Sequence, residues 1–376
     1  DYENYSKKDV ENELVVKGFV PSFLKIRAKH LSEWADTIEA RSLLPALIRK
    51  LVLTGGLEFQ RVDFPAHDLS QTPGWDGEVE SGNANPWIPK GKSGWEFGCN
   101  KNPGKKANAD YAQRVKKKPL QERKETTYVF VTPRFWTDKK KWLEEKLAKK
   151  DWKHVLAFDA GDLEQWIETS VPAQVWLAEV FGMPTEGCQS TAGYWSYWSS
   201  TAKTPISPVI FRSAIEGHKE KIVDWFNSEP VKPFVVTAAS KEEALAFVSC
   251  ALQEIPELEN LRELAVLMTE PKVIRSLSQT TTKVVPVVCS DEAEIEAEKS
   301  FKGRRVIVIT EKRSSDLEGD ISVELPSYRD FYEALKEMGF EDPDIDILSS
   351  NCGNSPTILR RQLATSPALK KPSWAT

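Results

Sequence analysis

Two carboxylates and a group of lysines between Trp75 and Arg114 could do chemistry together. Asp76 follows a Pro-Gly-Trp turn, and Glu96 lies further along inside Gly94-Trp-Glu-Phe-Gly. Carboxylates on adjacent strands can hold Mg²⁺ or Mn²⁺, since such ions prefer hard oxygen ligands. A metal held in this way polarises a phosphodiester and lowers the pKa of an attacking water. The pair therefore predicts metal-assisted hydrolysis of a phosphodiester.

Glu96 stands between two aromatic residues, Trp95 and Phe97. Side chains alternate along a strand, so we expect the two rings on one face and the carboxylate on the other. A carboxylate next to a core is costly unless it is paired or binds a cation. The alternative interpretation is that Asp76 is a turn residue and that Glu96 is a partner of Arg114.

The elements that must position this pair alternate between helices and short strands. Apolar residues recur at helical spacing from Leu31 to Leu53, and Pro45 is expected to begin the second of two helices there. The pattern then predicts strands at 57–64, 77–80, 93–99, 127–132 and 155–158, and helices at 107–117, 139–149 and 162–181. This order favours an α/β domain with a mixed central sheet flanked by helices.

The residues around the two carboxylates resemble a known nuclease family. Gly74-Trp-Asp-Gly, Ser93-Gly-Trp-Glu-Phe-Gly and Lys106-Ala-Asn-Ala-Asp-Tyr-Ala-Gln-Arg are similar to PD-(D/E)XK nuclease domains at the N-terminus of some bacterial defence proteins. The resemblance covers about residues 40–180. It implies a restriction-endonuclease-like fold, a metal site at Asp76 and Glu96, and DNA as the substrate.

One position departs from the family pattern, because Gly98 stands where the motif has its lysine. In this fold a lysine from a neighbouring position can take the role of orienting or polarising the attacking water. The candidates are Lys101 in the following loop and Lys105 or Lys106 at the entry to the next helix. We favour Lys106, because a helix that starts there could aim its side chain back at the metal.

Other residues are expected to extend the site. The resemblance implies that Glu39, on the first helix, is a further metal ligand, with Glu78 as the alternative. Asp110 and Arg114 are four residues apart on one helix, so they either pair with each other or leave Arg114 for a substrate phosphate. Residues 95–155 contain 17 Lys and Arg against 8 Asp and Glu in a chain of net charge −5. This basic segment is either a DNA-facing side or solvated surface.

Composition excludes several classes of protein. No run of about 18 apolar residues exists, which argues against a membrane protein. The first residues lack the basic and apolar regions of a secretory signal. The five cysteines are far apart and form no CxxC, which argues against structural zinc and a disulfide framework and favours the cytoplasm.

The second half of the chain also alternates between strands and helices, which predicts a parallel sheet. Val235-Val-Thr-Ala-Ala-Ser-Lys stands where a phosphate-binding loop would lie, but it has no glycine. Glu242 follows Lys241 and would repel phosphate, while Ser240 and Glu243 have the spacing of a capping box. We therefore expect no ATP hydrolysis here, while the sequence leaves open whether this domain binds any nucleotide.

Residues from about 205 to 376 nevertheless resemble a degenerate STAND-type module of the P-loop NTPase class. Arg304-Arg-Val-Ile-Val-Ile-Thr is similar to its sensor strand, and Ser355-Pro-Thr-Ile-Leu-Arg-Arg-Gln-Leu to the helical domain that follows. We expect a nuclease domain at 1–187, a linker at 188–208, the NTPase-like domain at 209–345 and the start of a helical domain at 346–376.

The resemblance implies a nuclease effector of antiphage defence that is switched on by homo-oligomerisation. A phage protein or another trigger would act through a region beyond Thr376. The alternative is a nuclease fold without activity that serves as a nucleic-acid-binding or scaffold protein, for which Gly98 is the strongest argument.

Overall fold

The computed structural model describes residues 25–65, 74–200, 203–229, 232–278, 283–312 and 319–365. The chain divides into two compact units, Asp1–Phe181 with Gln279–Lys283, and Gly182–Ser278 with Val284–Thr376. Each unit has its own sheet, and helices flank both sheets. Within the described ranges, every helix is too short or too polar to cross a bilayer.

The first unit is built on a five-stranded mixed sheet of order β1-β2-β3-β4-β5. The strands are β1 (Phe59–Asp63), β2 (Gly77–Ser81), β3 (Gly91–Phe97), β4 (Thr126–Val131) and β5 (His154–Phe158). The pairs β1/β2 and β2/β3 are antiparallel, whereas β3/β4 and β4/β5 are parallel. All six residues of β4 are buried, as expected for a central strand covered on both faces. The α/β class with a mixed sheet and flanking helices is confirmed.

Seven helices are described in this unit. They are α1 (Ala28–Trp34), α2 (Glu39–Thr54), α3 (Pro103–Lys117), α4 (Leu120–Glu125), α5 (Lys139–Lys149), α6 (Ala160–Glu168) and α7 (Val171–Val180). The predicted single helix at 162–181 is wrong, because Ser170 interrupts it. Its hydroxyl caps α7 by accepting from the Ala173 backbone N–H, and Pro172 occupies the first turn.

Pro45 does not begin a helix, which corrects the prediction. It lies inside α2, and the break between α1 and α2 comes earlier, at 35–38. Proline removes one backbone N–H and is normally costly in a helix interior. Here Pro45 and the turns beside it are buried, with Leu44, Leu47 and Ile48 fully buried in the core. We infer that this packing offsets the lost hydrogen bond.

The second unit is built on a six-stranded sheet of order β11-β7-β10-β9-β8-β6. Its strands are β6 (Cys188–Ser190), β7 (Phe234–Ala238), β8 (Ala265–Met268), β9 (Val285–Val288), β10 (Ile307–Glu311) and β11 (Ile321–Ser322). Strands β7 to β11 pair in parallel, which confirms the predicted parallel sheet, and only β6 is antiparallel to its neighbour β8 among the described pairs.

Nine helices are described in the second unit. They are α8 (Thr191–Ser199), α9 (Arg212–Asn227), α10 (Lys241–Glu254), α11 (Glu259–Leu264), α12 (Pro271–Ser278), α13 (Asp291–Ser300), α14 (Tyr328–Glu337), α15 (Asp342–Cys352) and α16 (Pro356–Leu363). Two short 3₁₀ segments, Pro208–Phe211 and Pro256–Leu258, precede α9 and α11. Ser355 caps α16 and Pro356 is its first residue, as the sequence predicts.

The segment 188–208 is not a linker in its described residues, 188–200 and 203–208. Its first residues form the edge strand β6, and α8 follows directly. Trp198 is fully buried in the hydrophobic core of the second unit. The Ser, Thr and Gly content suggested a loop, but Trp198 belongs to the core and Tyr194 and Trp195 pack against it. The predicted boundary at 345 likewise falls inside α15, where Ile345 is fully buried.

Glu243 provides a test of this second core. It lies in the first turn of α10, is 1 % exposed, and accepts a 3.4 Å hydrogen bond from Ser355 Oγ. Only half of the predicted capping box forms, because Ser240 caps the Glu243 backbone N–H while the Glu243 carboxylate contacts Ser355. Burial raises the pKa of Glu243 to about 7 from its ordinary 4.5, and the Ser355 hydrogen bond opposes this shift.

The folded protein therefore holds the Glu243 proton more tightly than the unfolded chain does. The free energy of unfolding should fall by up to about 3 kcal/mol as pH rises from 4.5 through about 7. Glu243→Gln should remove this loss and stabilise the protein at pH 8. Urea denaturation at pH 5 and pH 8 measures it, with the exposed Glu254→Gln as control. An unchanged pH dependence in Glu243→Gln would contradict the assignment.

Candidate active site

Asp76 lies directly before β2 and is tied to the end of β3. Its Oδ2 atom accepts a hydrogen bond of 2.8 Å from the backbone N–H of Phe97. The antiparallel register pairs Gly77 with Trp95. The hydrogen bond therefore joins the residue just before β2 to the last residue of β3. Asp76 is thus more than a turn residue, because it fixes the start of one strand against the end of the next.

Glu96 points away from the aromatic residues beside it, as alternation predicts. Trp95 packs against Phe64, Phe158 and Trp166 on one side of the sheet. On the other side, Glu96 accepts a hydrogen bond from Arg114 Nε and is only 3 % exposed. The alternative prediction of a Glu96–Arg114 pair is therefore correct as a contact.

The two carboxylates interact electrostatically. Burial, and next the negative charge of Asp76, raise the pKa of Glu96 to about 8, and the Arg114 hydrogen bond opposes this. Burial likewise raises the pKa of Asp76, while the Phe97 N–H and the charge of Lys106 lower it. A divalent cation would stabilise both carboxylates as anions. Their oxygen atoms are donors of the type that Mg²⁺ and Mn²⁺ prefer.

The side chain of Lys106 packs directly against the backbone at Gly98. A side chain at Gly98 would place its Cβ atom 2.9 Å from Lys106 Cγ and 2.8 Å from Phe130 Cζ. Lys106 therefore fills the region that a side chain two positions after Glu96 would enter. The ammonium group of Lys106 pairs with Asp110, and its positive charge lowers the pKa of Asp76. Lys106 therefore lies near enough to Asp76 to act on it electrostatically.

Arg114 holds three parts of the site together. Besides Glu96, it donates from Nη2 to the backbone carbonyl of Gly74, and its guanidinium lies 5.1 Å from the centre of the Trp75 ring. The predicted pairing of Arg114 with Asp110 is not the contact formed. Asp110 instead accepts from Lys106 Nζ at 2.7 Å. The sequence allowed both, since Lys106, Asp110 and Arg114 follow one another at four-residue spacing.

A buried tyrosine lies close to the site and was not predicted. The Tyr128 hydroxyl is buried and has no hydrogen-bond partner among the described residues. Burial, and next the charge of Glu96, raise its pKa well above the ordinary value. Tyr128 therefore remains a neutral phenol at every pH of interest. Its signal in the sequence was its place in an otherwise apolar strand.

Three other predicted residues lie apart from this group. Glu39 is exposed at the first position of α2, and Glu78 pairs with Arg61 at 2.7 Å. Lys101 is exposed in the loop after β3, where its charge acts on Asp36. No group of three or more His, Cys, Asp or Glu side chains in the described part of the chain is arranged to hold a metal. Glu39 therefore remains a prediction that the described geometry does not support.

The basic segment divides into structural and exposed lysines. Lys139 pairs with Asp159 at 2.8 Å and also with Asp162, whereas Lys146 is buried over the rings of Tyr111 and Trp142. The exposed lysines include Lys116 and Lys117 on α3 and Lys140 and Lys141 on α5. Part of the positive surplus therefore stabilises the fold, and another part faces solvent.

In the second unit, protein side chains surround the first turn of α10, where phosphates would bind. Glu242 accepts from Arg360 Nη1 at 2.6 Å, from Trp198 Nε1 at 3.1 Å and from Arg361 at 3.4 Å. Arg360 also donates to the Trp198 carbonyl at 2.9 Å. Lys241 pairs with Asp291 at 2.7 Å. The first turn of α10 is thus joined to α8 and α16 by ion pairs and hydrogen bonds.

Comparison with models of known protein families finds no match for this chain, and none of the curated proteins matches it.

The close approach at Gly98 gives a stability test. Gly98→Ala should lower the free energy of unfolding by about 1–3 kcal/mol, because its methyl group overlaps Phe130 and Lys106. Gly161→Ala is the matched control, since its nearest neighbour outside the adjacent residues, Asp159 Oδ1, is 3.6 Å from the added atom. Urea denaturation measures both variants. Equal stability of Gly98→Ala and Gly161→Ala would contradict the packing described.

The ion pairs at α10 give a second test. Arg360→Ala should destabilise the second unit by about 3 kcal/mol, because it leaves the partly buried Glu242 and the Trp198 carbonyl without their main donor. Arg361→Ala should have a much smaller effect, since its contact is longer and its side chain is 31 % exposed. Chemical denaturation compares the two, and similar losses would contradict the central place of Arg360.

Proposed function

We propose that the first unit is a metal-dependent endonuclease of the restriction-endonuclease-like type that hydrolyses phosphodiester bonds in DNA. Asp76 and Glu96 are the metal ligands, and Lys106 acts on the attacking water. The observation that carries the proposal is the contact of Lys106 with the space beside Gly98. A lysine on a neighbouring helix reaches the place where the PD-(D/E)XK motif has its own.

The arrangement of the sheet supports this assignment. Asp76 and Glu96 come from adjacent antiparallel strands, β2 and β3, and β3 then pairs in parallel with the central strand β4. The hydrogen bond from Phe97 to Asp76 keeps the two carboxylates next to each other before any ligand arrives. A rigid, preorganised pair of this kind is what metal-assisted hydrolysis requires.

The roles of the side chains follow from their contacts. A bound Mg²⁺ or Mn²⁺ would polarise the phosphodiester and lower the pKa of the attacking water. The charge of Lys106 acts on Asp76, and in the proposed mechanism its ammonium group orients that water and stabilises charge that develops on the phosphate. Arg114 keeps Glu96 in place, and exposed lysines of the basic segment attract the DNA backbone.

For the second unit we propose a regulatory, STAND-like module of the P-loop NTPase class that acts without ATP. In support, β7 lies inside the parallel sheet and its carboxyl end leads into α10, which is where a phosphate site would form. Glu242, Arg360 and Trp198 fill that place with protein contacts. Oligomerisation through this module, in response to a phage protein or another trigger, would activate the nuclease in antiphage defence.

One observation favours a second candidate, a nuclease fold without activity that binds nucleic acid or serves as a scaffold. Arg114 already pairs with Glu96 in the described structure, and Gly98 leaves the motif without its usual lysine. A carboxylate held by arginine can be purely structural. The same assay decides between the two candidates.

The test is nicking of supercoiled plasmid with Mg²⁺ or Mn²⁺. Asp76→Asn and Glu96→Gln, which keep the shape of each side chain, should reduce nicking to background. Lys106→Ala should reduce it by about 100-fold or more, since it removes a charge acting at the transition state. Lys101→Ala is the matched control and should retain the activity, because Lys101 lies apart from the carboxylates.

Two outcomes would count against this proposal. If the unaltered protein, in its oligomerised and triggered form, does not nick DNA with either metal, the scaffold interpretation replaces the enzyme. If Lys101→Ala abolishes nicking and Lys106→Ala does not, the other predicted lysine has the catalytic role.

A further inference from the structure

We propose that Asp110 is a positioning residue that fixes the ammonium group of Lys106 beside the metal-binding carboxylates. This inference rests on the proposed nuclease function and adds a fourth member to its site. Asp110 lies one helical turn after Lys106 on α3, and its Oδ1 atom accepts from Lys106 Nζ at 2.7 Å.

The burial of Asp110 distinguishes this contact from an ordinary ion pair on a helix surface. The Asp110 side chain is 8 % exposed, whereas Lys106 is 34 % exposed. An exposed pair at this spacing contributes a few tenths of a kcal/mol, so stability alone gives little reason to bury a carboxylate for it. Burying the anion is itself unfavourable. Its position therefore points to a role in the site.

The second oxygen of Asp110 supports that role. Oδ2 is buried and has no hydrogen-bond partner among the described residues. The charge of Asp110 acts on both Asp76 and Glu96, so this buried carboxylate lies near the proposed metal-binding pair. A buried carboxylate oxygen without a hydrogen-bond partner is unfavourable for folding, which is a reason to look for a role in the site.

Asp110 also explains how Lys106 can act from a helix. A lysine side chain has many rotamers and would otherwise be free to move into solvent. Gly98 leaves the space that its stem occupies, and Asp110 holds its end. Together, the two contacts define one position for the ammonium group. In the PD-(D/E)XK motif, the lysine would extend from β3 itself.

The test combines Asp110→Asn, Lys106→Ala and the double variant in the plasmid-nicking assay. Asp110→Asn should lower kcat by about tenfold or more with little change in KM for DNA, because it affects the reacting group and not DNA binding. The double variant should be no slower than Lys106→Ala alone, since Asp110 acts through Lys106. Additive losses, or a Asp110→Asn variant as active as the unaltered protein, would overturn the inference.

A charge exchange separates position from stability. Lys106→Asp combined with Asp110→Lys keeps an ion pair at the same spacing but moves the ammonium group by one helical turn, about 5–6 Å. Thermal unfolding should show that this double variant folds, and its nicking should be as weak as that of Lys106→Ala. Full activity in the exchanged protein would mean that the position of the lysine does not matter, which would overturn the inference.

A measurement independent of catalysis completes the test. Acylation of lysines, mapped by mass spectrometry, should be slow at Lys106 in the unaltered protein and several times faster in Asp110→Asn. Lys105 next to it is exposed and serves as the internal reference. Unchanged labelling of Lys106 would overturn the inference even if the protein nicks DNA. Faster labelling without any nicking by the unaltered protein would show that the contact exists, and that the proposed function and the role of Asp110 in it both fail.

Discussion

The arrangement of the first unit depends on keeping two carboxylates, Asp76 and Glu96, next to closely packed aromatic side chains. Trp75 lies against Gly94, where an added Cβ atom would come within 2.3 Å of the indole, and Trp95 occupies the other face of the same strand. Ionised carboxylates are unstable in such surroundings without compensation. This compensation comes from the Phe97 N–H, Arg114 and the charge of Lys106. Each of these groups belongs to an element whose position the sheet fixes.

Such contacts can either stabilise the fold or prepare a functional site, and the described contacts contain features of both. Arg114 pairs with Glu96, as it would in a structural ion pair. Burial and the neighbouring Asp76 nevertheless raise the pKa of Glu96 to about 8, so one arginine does not offset them. Strongly shifted carboxylates of this kind are more frequent at functional sites than in the rest of a protein.

Much of the fold follows from local sequence patterns. The apolar run of β4, the helix at Lys139–Lys149, and the Ser355–Pro356 start of α16 were all predictable because short-range rules determine them. The site was predictable only in part. Asp110 has a basic residue four positions before it, Lys106, and another four positions after it, Arg114. In the folded unit Arg114 pairs with the buried Glu96, and Lys106 pairs with Asp110. This choice depends on tertiary structure, which the local sequence does not contain. The helix start at Pro45 and the linker at 188–208 were predicted wrongly for the same reason, since burial outweighs local propensity.

The contacts around Glu242 have a consequence for what the second unit can sense. Nucleotide-dependent switches read the ratio of two exchangeable ligands, and their state follows the energy supply of the cell. In this chain Arg360, a residue of the same polypeptide, donates to Glu242 and to the Trp198 carbonyl at the start of α10. An intramolecular partner of this kind is present at constant effective concentration. In the proposed regulatory module, the state of this contact would therefore depend on the position of α16 and not on the concentration of a free ligand.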